Sequence, residues 1–225
     1  MSDPSPADPL LVELEVADPP EAWAAAGFAV EGDCCAIGAV QIRLVGRCER
    51  RGIVGWALAG VALDDDGRID GLPTSTASPD LAPDPQGEPH PNGTIGLDHV
   101  VVLTPDLERT IAACEAAGLE LRRIREGAGG DGVQVRQAFF RLGSTILEVV
   151  SAPGPGSGEP ASTAPARWFG LAIDVDDLDV TRTHLGDALG RIKPAVQEGR
   201  RIATLRHRDL GMSVSVAAMD RHGDR

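Results

Sequence analysis

GLDHVVVLTPDL, residues Gly96–Leu107, decides the fold when it is read together with TILEVV, residues Thr145–Val150. Each segment is an apolar strand. The first carries one histidine, His99, and the second carries one glutamate, Glu148. An imidazole or a carboxylate is costly to bury without a partner. A shared metal ion is one economical partner, because imidazole nitrogen and carboxylate oxygen are both good ligands.

The residues after the first of these strands predict a helix. Thr104 is placed to cap its N-terminus, Pro105 suits its first turn and Gly118 ends it. Three runs of strand type then complete a βαβββ order. A similar order recurs in the C-terminal part of the chain. The predicted fold class is therefore α+β, built from repeated βαβββ modules.

The N-terminal part of the chain looks like a third and shorter copy. Residues 36–45 resemble residues 141–150, and residues 55–61 resemble the strand that starts at Trp168. Stretches rich in proline and glycine separate the copies. The predicted parts are a disordered tail over 1–9, a partial βαβββ-like module over 10–66, a linker or lid over 67–95, a central module over 96–152, a linker over 153–166, a C-terminal module over 167–219 and a tail over 220–225.

Composition narrows the classes of partner. The chain of 225 residues has 21 Lys and Arg against 34 Asp and Glu, a net charge of -13. This balance argues against nucleic acid and membrane surfaces as partners. No apolar run is long enough to span a bilayer, no signal peptide is recognisable, and the four cysteines lack CxxC spacing. We expect a cytoplasmic protein with reduced thiols, a monomer or homodimer that binds a small molecule.

These motifs resemble the vicinal oxygen chelate superfamily, which comprises glyoxalases, bleomycin-resistance proteins and extradiol dioxygenases. The resemblance is carried by Gly96–Val102, Pro105–Leu107, Phe139–Gly143 and Ile146–Val150. It covers residues 96–218 well and the N-terminal part weakly, and the chain as a whole is similar to glyoxalase-like proteins of actinobacterial type. The resemblance implies that two modules pair into a bowl-shaped mixed sheet with a divalent metal at its base.

The resemblance implies that His99 and Glu148 are ligands of this metal, which would be Fe, Mn, Ni or Zn. Strand alternation agrees, since it places His99 with Val101 on one face, and Glu148 with Ile146. Glu148 would also act as a catalytic proton acceptor. In the alternative, a backbone carbonyl binds His99 and an arginine such as Arg141 pairs with Glu148.

The C-terminal module departs from this pattern. Gly170 matches His99, and Ser215 or Val216 matches Glu148, so this module offers no good side-chain ligand. Two protein ligands are fewer than the three or four that such ions usually take. Either Glu13, His90 or another subunit completes the site, or the metal has been lost.

In the N-terminal copy Glu13 matches His99 and Arg43 matches Glu148, so these two residues are expected to form a salt bridge in place of a metal half-site. The missing histidine at Gly170 predicts a pocket beside this glycine, next to the Ser215/Val216 strand. We expect the loop that ends at His90 to cover the entrance of this pocket.

The sequence leaves three classes of function open. The first is a metal-dependent lyase, isomerase or dioxygenase of glyoxalase type. The second is a metal-free protein that binds or sequesters a small molecule, as bleomycin-resistance proteins do, and the third is a non-catalytic structural module. The residues expected to contact a small molecule are Phe139, Phe140, Arg141, Trp56, Trp168 and Arg201, with Arg200 beside Arg201 in a predicted hairpin turn.

Overall fold

The computed structural model describes residues 8–84, 87–128, 134–151 and 163–221. In these ranges the chain forms two mixed β-sheets and three short α-helices, so the predicted α+β class is confirmed. The predicted tails and the linker over 153–166 fall largely outside the described residues. No helix in these ranges is long and apolar enough to cross a membrane.

The first sheet has six strands and the second has eight. The strands of the first sheet are β1 (Leu10–Val16), β2 (Cys34–Ile37), β3 (Val40–Leu44), β4 (Ile53–Ala59), β5 (Arg68–Ile69) and β6 (Leu72–Thr76). Those of the second are β7 (Thr94–Leu103), β8 (Leu121–Ala128), β9 (Gln134–Leu142), β10 (Thr145–Ser151), β11 (Arg167–Val175), β12 (Lys193–Pro194), β13 (Arg201–Thr204) and β14 (Ser215–Asp220). The α-helices are α1 (Pro20–Ala25), α2 (Leu107–Ala116) and α3 (Leu178–Leu185).

The eight-stranded sheet joins two βαβββ units. Its order is β12-β13-β14-β11-β7-β10-β9-β8. The first strands of the two units, β7 and β11, pair antiparallel at the centre, and each is flanked by the parallel last strand of its own unit. Helix α2 packs on β9 and β10, and α3 packs on β13 and β14. The predicted repeat of βαβββ modules is therefore present in this sheet.

The six-stranded sheet repeats the central part of this order in a shorter form. Its order is β2-β3-β1-β4-β6-β5, in which β3 runs parallel to β1, β4 antiparallel to β1 and β6 parallel to β4. Strands β3 and β4 thus occupy the positions that β10 and β11 occupy in the larger sheet. These are the two pairs of segments whose sequences resemble each other.

Two local expectations need correction. The stretch predicted as a linker contains strands β5 and β6. They form a hairpin because Asp70 and Gly71, with φ values of 46° and 85°, make a tight two-residue turn between them. The cap of α2 is Asp106, whose carboxylate accepts the backbone N–H of Arg109 at 3.0 Å. Thr104 instead accepts the N–H of Asp106 at 3.1 Å, which holds the turn before the helix.

Alternation along β7 determines which side chains reach the site. Val100 and Val102 are fully buried in the core. His99 and Val101 alternate with them, are half-buried and point to the opposite face. On β10 the half-buried Glu148 lies between buried core residues in the same way.

Candidate functional site

A cavity of about 680 Å³ lies against the face of the larger sheet that carries His99 and Glu148. The edge strands β8 and β12 stand at opposite ends of the strand order, yet both line this cavity. The sheet must therefore curl into a bowl. The residues that line the cavity are His99, Arg123, Arg125, Gln137, Phe139, Glu148, Lys193, Pro194, Ala195, Val196, Gln197, Ile202 and Met219.

The structure brings His99 and Glu148 together. Their strands are parallel neighbours, with Glu148 opposite Val101. His99 Nε2 lies 3.5 Å from Glu148 Oε2, and the two side chains are 17% and 14% exposed. The side-chain amide of Gln137 donates a hydrogen bond to Glu148 Oε1, which orients the other carboxylate oxygen towards the imidazole.

A β-bulge adds a third group to this pair. The pairing of β7 with β11 steps from His99 opposite Ala172 to Leu97 opposite Ile173, so Asp98 is the extra residue. Neighbouring residues of a regular strand point to opposite faces, whereas a bulge redirects a side chain. Asp98 Oδ2 consequently lies 2.6 Å from His99 Nδ1. Sequence patterns gave no signal for this contact.

A buried arginine holds Asp98 in turn. Arg200 is 4% exposed, and its Nη1 donates to Asp98 Oδ1 at 2.7 Å. Its Nη2 donates to Asp174 on β11, and its Nε donates to the Asp220 carbonyl at 2.7 Å. Although the sequence predicted a role for this guanidinium in substrate binding, it binds carboxylates of the protein.

The charges of this network shift its pKa values. Burial alone would lower the pKa of His99, but the hydrogen bond with Asp98 and the charge of Glu148 outweigh it and raise the pKa. Burial opposes ionisation of Asp98, yet bonds from His99 and Arg200 lower its pKa to about 2. Burial and the nearby charge of Asp98 raise the pKa of Asp174 to about 6. Perturbed groups of this kind cluster at functional sites.

Among the predicted substrate contacts, Phe139 lines the cavity and the others do not. Arg141 points outward and donates to the Gly143 carbonyl at 3.1 Å. Arg201 forms ion pairs outside the cavity, with carboxylates of Asp177, Asp179 and Asp220. Phe140 is fully buried because it faces the core side of β9.

The two tryptophans lie at the junction of the two sheets instead. Trp56 on β4 and Trp168 on β11 meet edge to face, with ring centroids 4.9 Å apart. Trp56 is 2% exposed, and its indole N–H donates to the Thr74 hydroxyl at 2.7 Å. Both rings are therefore occupied by packing between the sheets.

The two additional ligand candidates have other partners. Glu13 pairs with Arg43 at 2.9 Å in the six-stranded sheet. His90 uses both ring nitrogens, since Nδ1 accepts the Ala29 N–H at 2.9 Å and Nε2 lies 2.9 Å from the Ala36 carbonyl. Both arrangements stabilise the N-terminal part of the structure.

The predicted pocket beside Gly170 is wrong. A Cβ atom at Gly170 would lie 2.3 Å from the Ser215 carbonyl oxygen, so the neighbouring strand already fills this space. Val216 is fully buried, and the cavity instead reaches Met219 on the same strand. The loop that ends at His90 lines a different cleft.

His99 and Glu148 form a donor set of two side chains for a divalent metal. His99 Nε2 and Glu148 Oε2 are close enough to share an ion. Within the described ranges, however, no group of three or more His, Cys, Asp or Glu side chains converges in a metal-binding arrangement. Two ligands do not make a complete site.

No family model matches the sequence, and no curated protein is significantly similar to it. A mutant of 4-hydroxymandelate synthase from Streptomyces coelicolor aligns over 98% of this chain and 94% of its own, with a TM-score of 0.64 and 16% identity. The methylmalonyl-CoA epimerase of Mycobacterium tuberculosis aligns over 58% of this chain and 91% of its own, with a TM-score of 0.44 and 20% identity.

The first of these alignments spans both sheets of the chain, and its low identity makes it a likeness of fold. The fold of this chain is therefore similar to that of the synthase.

Proposed function

We propose that the chain binds a small organic molecule in the bowl and that His99 and Glu148 transfer a proton on it, as an isomerase or lyase of glyoxalase type would. The observation that carries this proposal is the 3.5 Å approach of His99 Nε2 to Glu148 Oε2 at the wall of a cavity of about 680 Å³. A cavity of this size holds a small metabolite.

In this proposal Glu148 is the general base and His99 is the hydrogen-bond donor. Glu148, oriented by Gln137, accepts a proton from a carbon beside a carbonyl group. His99 is oriented by Asp98 through Nδ1, which leaves Nε2 on the side of Glu148 and the cavity. Its raised pKa favours the protonated imidazole, whose Nε2–H donates a hydrogen bond to the oxygen that gains negative charge.

A metal-dependent form of the same function is the second candidate. It is favoured by the Asp98–His99 hydrogen bond, because metal-binding histidines usually donate their other ring nitrogen to a carboxylate or carbonyl. The two-ligand set does not fit a complete metal site, so no step above depends on a metal.

Hydrogen exchange in D₂O tests the proposal. The untagged protein is incubated with a panel of small 2-oxo acids and thioesters, and exchange of the proton beside the carbonyl is followed by NMR. We expect exchange by the wild type and a loss of at least about a hundredfold in Glu148→Gln, the usual size of a general-base contribution. Glu120→Gln is the matched control, because Glu120 is exposed and pairs with Arg122.

Equal exchange by wild type and Glu148→Gln would remove Glu148 from the mechanism. Exchange that requires added Mn, Ni, Zn or Fe, and that a chelator removes, would favour the metal-dependent form. The imidazole of His99 can be followed in the same spectra without a substrate. Its pKa should fall in Glu148→Gln, since the charge of Glu148 helps to raise it.

A further inference from the structure

We infer that the molecule bound in this cavity is an organic dianion with an apolar body, whose charged groups are held by Arg123, Arg125 and Lys193. The inference rests on the proposed function only in that it concerns the same cavity. It names the chemical class of the ligand, which the acid–base pair by itself leaves open.

The first observation is an unusual excess of positive charge in the cavity wall. The chain has 34 acidic side chains and a net charge of -13, yet three of the side chains that line the cavity are cationic and only Glu148 is acidic. Lys193 is the only lysine of the chain. The wall therefore carries about two positive charges more than negative ones, before the imidazole is counted.

The second observation is that these cations lack acidic partners. In the portions that the structure describes, no carboxylate forms an ion pair with Arg123, Arg125 or Lys193. On the same strand but outside the cavity lining, Arg122 pairs with Glu120 at 2.8 Å. On the next strand Arg136 pairs with Glu108 at 2.6 Å. The cations of the cavity are thus available to a ligand.

The third observation concerns placement. Arg123 lies opposite Phe139, which lies opposite Glu148, so one row of side chains crosses β8, β9 and β10. The guanidinium of Arg123 sits 4.6 Å from the centre of the Phe139 ring, which holds it over the cavity. Two strand spacings separate the backbones of Arg123 and Glu148, about 10 Å.

The remaining wall is apolar. Ile202 and Met219 contribute side chains from β13 and β14, and Val196 is 70% exposed beside them. An amphiphilic ligand would place its apolar body there. Arginine forks match carboxylate and phosphate equally well, so a dicarboxylate and a phosphate monoester share the required chemistry.

Calorimetric titration of the full chain distinguishes the two sources of charge. The probes are phenylsuccinate, its neutral dimethyl ester and phenyl phosphate. We expect the ester not to bind and at least one dianion to bind with millimolar or better affinity that weakens as salt is added. Binding of only one dianion identifies the charged group as carboxylate or phosphate. Binding of neither dianion, or equal binding of the ester, would overturn the inference.

Variants connect this binding to the cavity. Arg123→Gln combined with Arg125→Gln should weaken dianion binding by about tenfold or more, the loss of one to two charge-assisted contacts. Arg122→Gln, on the same strand but outside the cavity lining, should leave it unchanged. Equal effects of the double variant and Arg122→Gln would show that binding occurs elsewhere and would refute the assignment.

Lys193 provides a readout that is independent of affinity. Because it is the only lysine, reductive methylation modifies a single side chain, and the bound dianion should slow this modification, as measured by mass spectrometry of the peptide. Undiminished modification at saturating dianion would exclude Lys193 from the site. Glu148→Gln should bind the dianion at least as well as the wild type, so failure of the acid–base function and failure of this inference can be told apart.

Discussion

At the scale of single residues, one buried cation organises the site. Arg200 bridges Asp98 and Asp174 and so fixes the carboxylate that orients His99. A buried charge that loses its partner destabilises a protein strongly. Two carboxylates, those of Asp98 and Asp174, share this one guanidinium. Asp174 has the raised pKa, because it is buried and lies near the charge of Asp98.

This difference predicts a pH dependence of stability. The pKa of Asp174 is about 6 in the folded protein, above that of an aspartate in an unfolded chain. The stabilisation from its protonated form is therefore complete below the unfolded pKa and is lost as the pH rises through about 6. Asp174→Asn lacks this titration. We expect the wild type to lose up to about 1 kcal/mol relative to Asp174→Asn between pH 5.5 and 7.5.

Urea unfolding at these two pH values measures the difference, and the range stays above the isoelectric point of about 4.7. Asp176→Asn is the control, since no hydrogen bond or ion pair links the side chain of Asp176 to the Arg200 network. A constant difference between Asp174→Asn and the wild type across this range would contradict the assignment.

At the scale of elements, the hairpin of β5 and β6 ties the smaller sheet to helix α2. Asp70 sits in its turn with φ 46°, and its carboxylate accepts Arg109 Nε of α2 at 2.7 Å. Gly71 follows with φ 85°, a conformation that only glycine adopts without strain. The turn is therefore both a local structure and a tertiary contact.

Substitution of Gly71 tests the cost of the backbone conformation in the turn and the cost of crowding against a distant residue. Gly71→Ala places a Cβ atom 2.4 Å from Pro165 Cβ in addition to the unfavourable φ. Gly32→Ala is the matched control, because Gly32 has φ 62° and no heavy atom within 4 Å of an added Cβ. We expect the control to lose about 1 kcal/mol of unfolding free energy and Gly71→Ala to lose clearly more, measured by urea unfolding. Equal losses of unfolding free energy in the two variants would mean that Pro165 moves aside without a measurable cost.

At the scale of the whole molecule, the junction of the two sheets depends on aromatic packing. The edge-to-face pair of Trp56 and Trp168 connects β4 of one sheet with β11 of the other. Because β11 also pairs with β7, this junction lies one strand away from His99. The smaller sheet thus supports the bowl without contributing a residue to its lining.

Trp56→Ala should consequently destabilise the whole chain by about 3–5 kcal/mol, the usual cost of removing a fully buried tryptophan. Phe169→Ala serves as the control, since Phe169 is adjacent to Trp168 but 53% exposed, and should change stability by less than about 1 kcal/mol. Urea unfolding followed by circular dichroism gives both values. A small effect of Trp56→Ala would show that the sheets are held together by other contacts.

The sequence by itself determined the features that depend on local period and local chemistry. Alternation on the strands of His99 and Glu148 placed both residues on the faces that meet in the cavity, and the repeated order of strands and helix indicated the βαβββ units. The repeat also indicated that Glu13 would pair with Arg43. The dipeptide Asp70-Gly71 is a known signal for a hairpin turn. It lies in a stretch whose composition suggested a linker, so the turn was not predicted.

Only the tertiary structure decided which distant residues complete the site. The bulge at Asp98 depends on its register with β11, and Arg200 reaches Asp98 across 102 positions of sequence. The curl of the sheet brings Arg123 of β8 and Lys193 of β12 to one cavity from its two edges. Such contacts follow from strand order, register and curvature, which are set by the packing of the whole core and leave no periodic trace in the sequence.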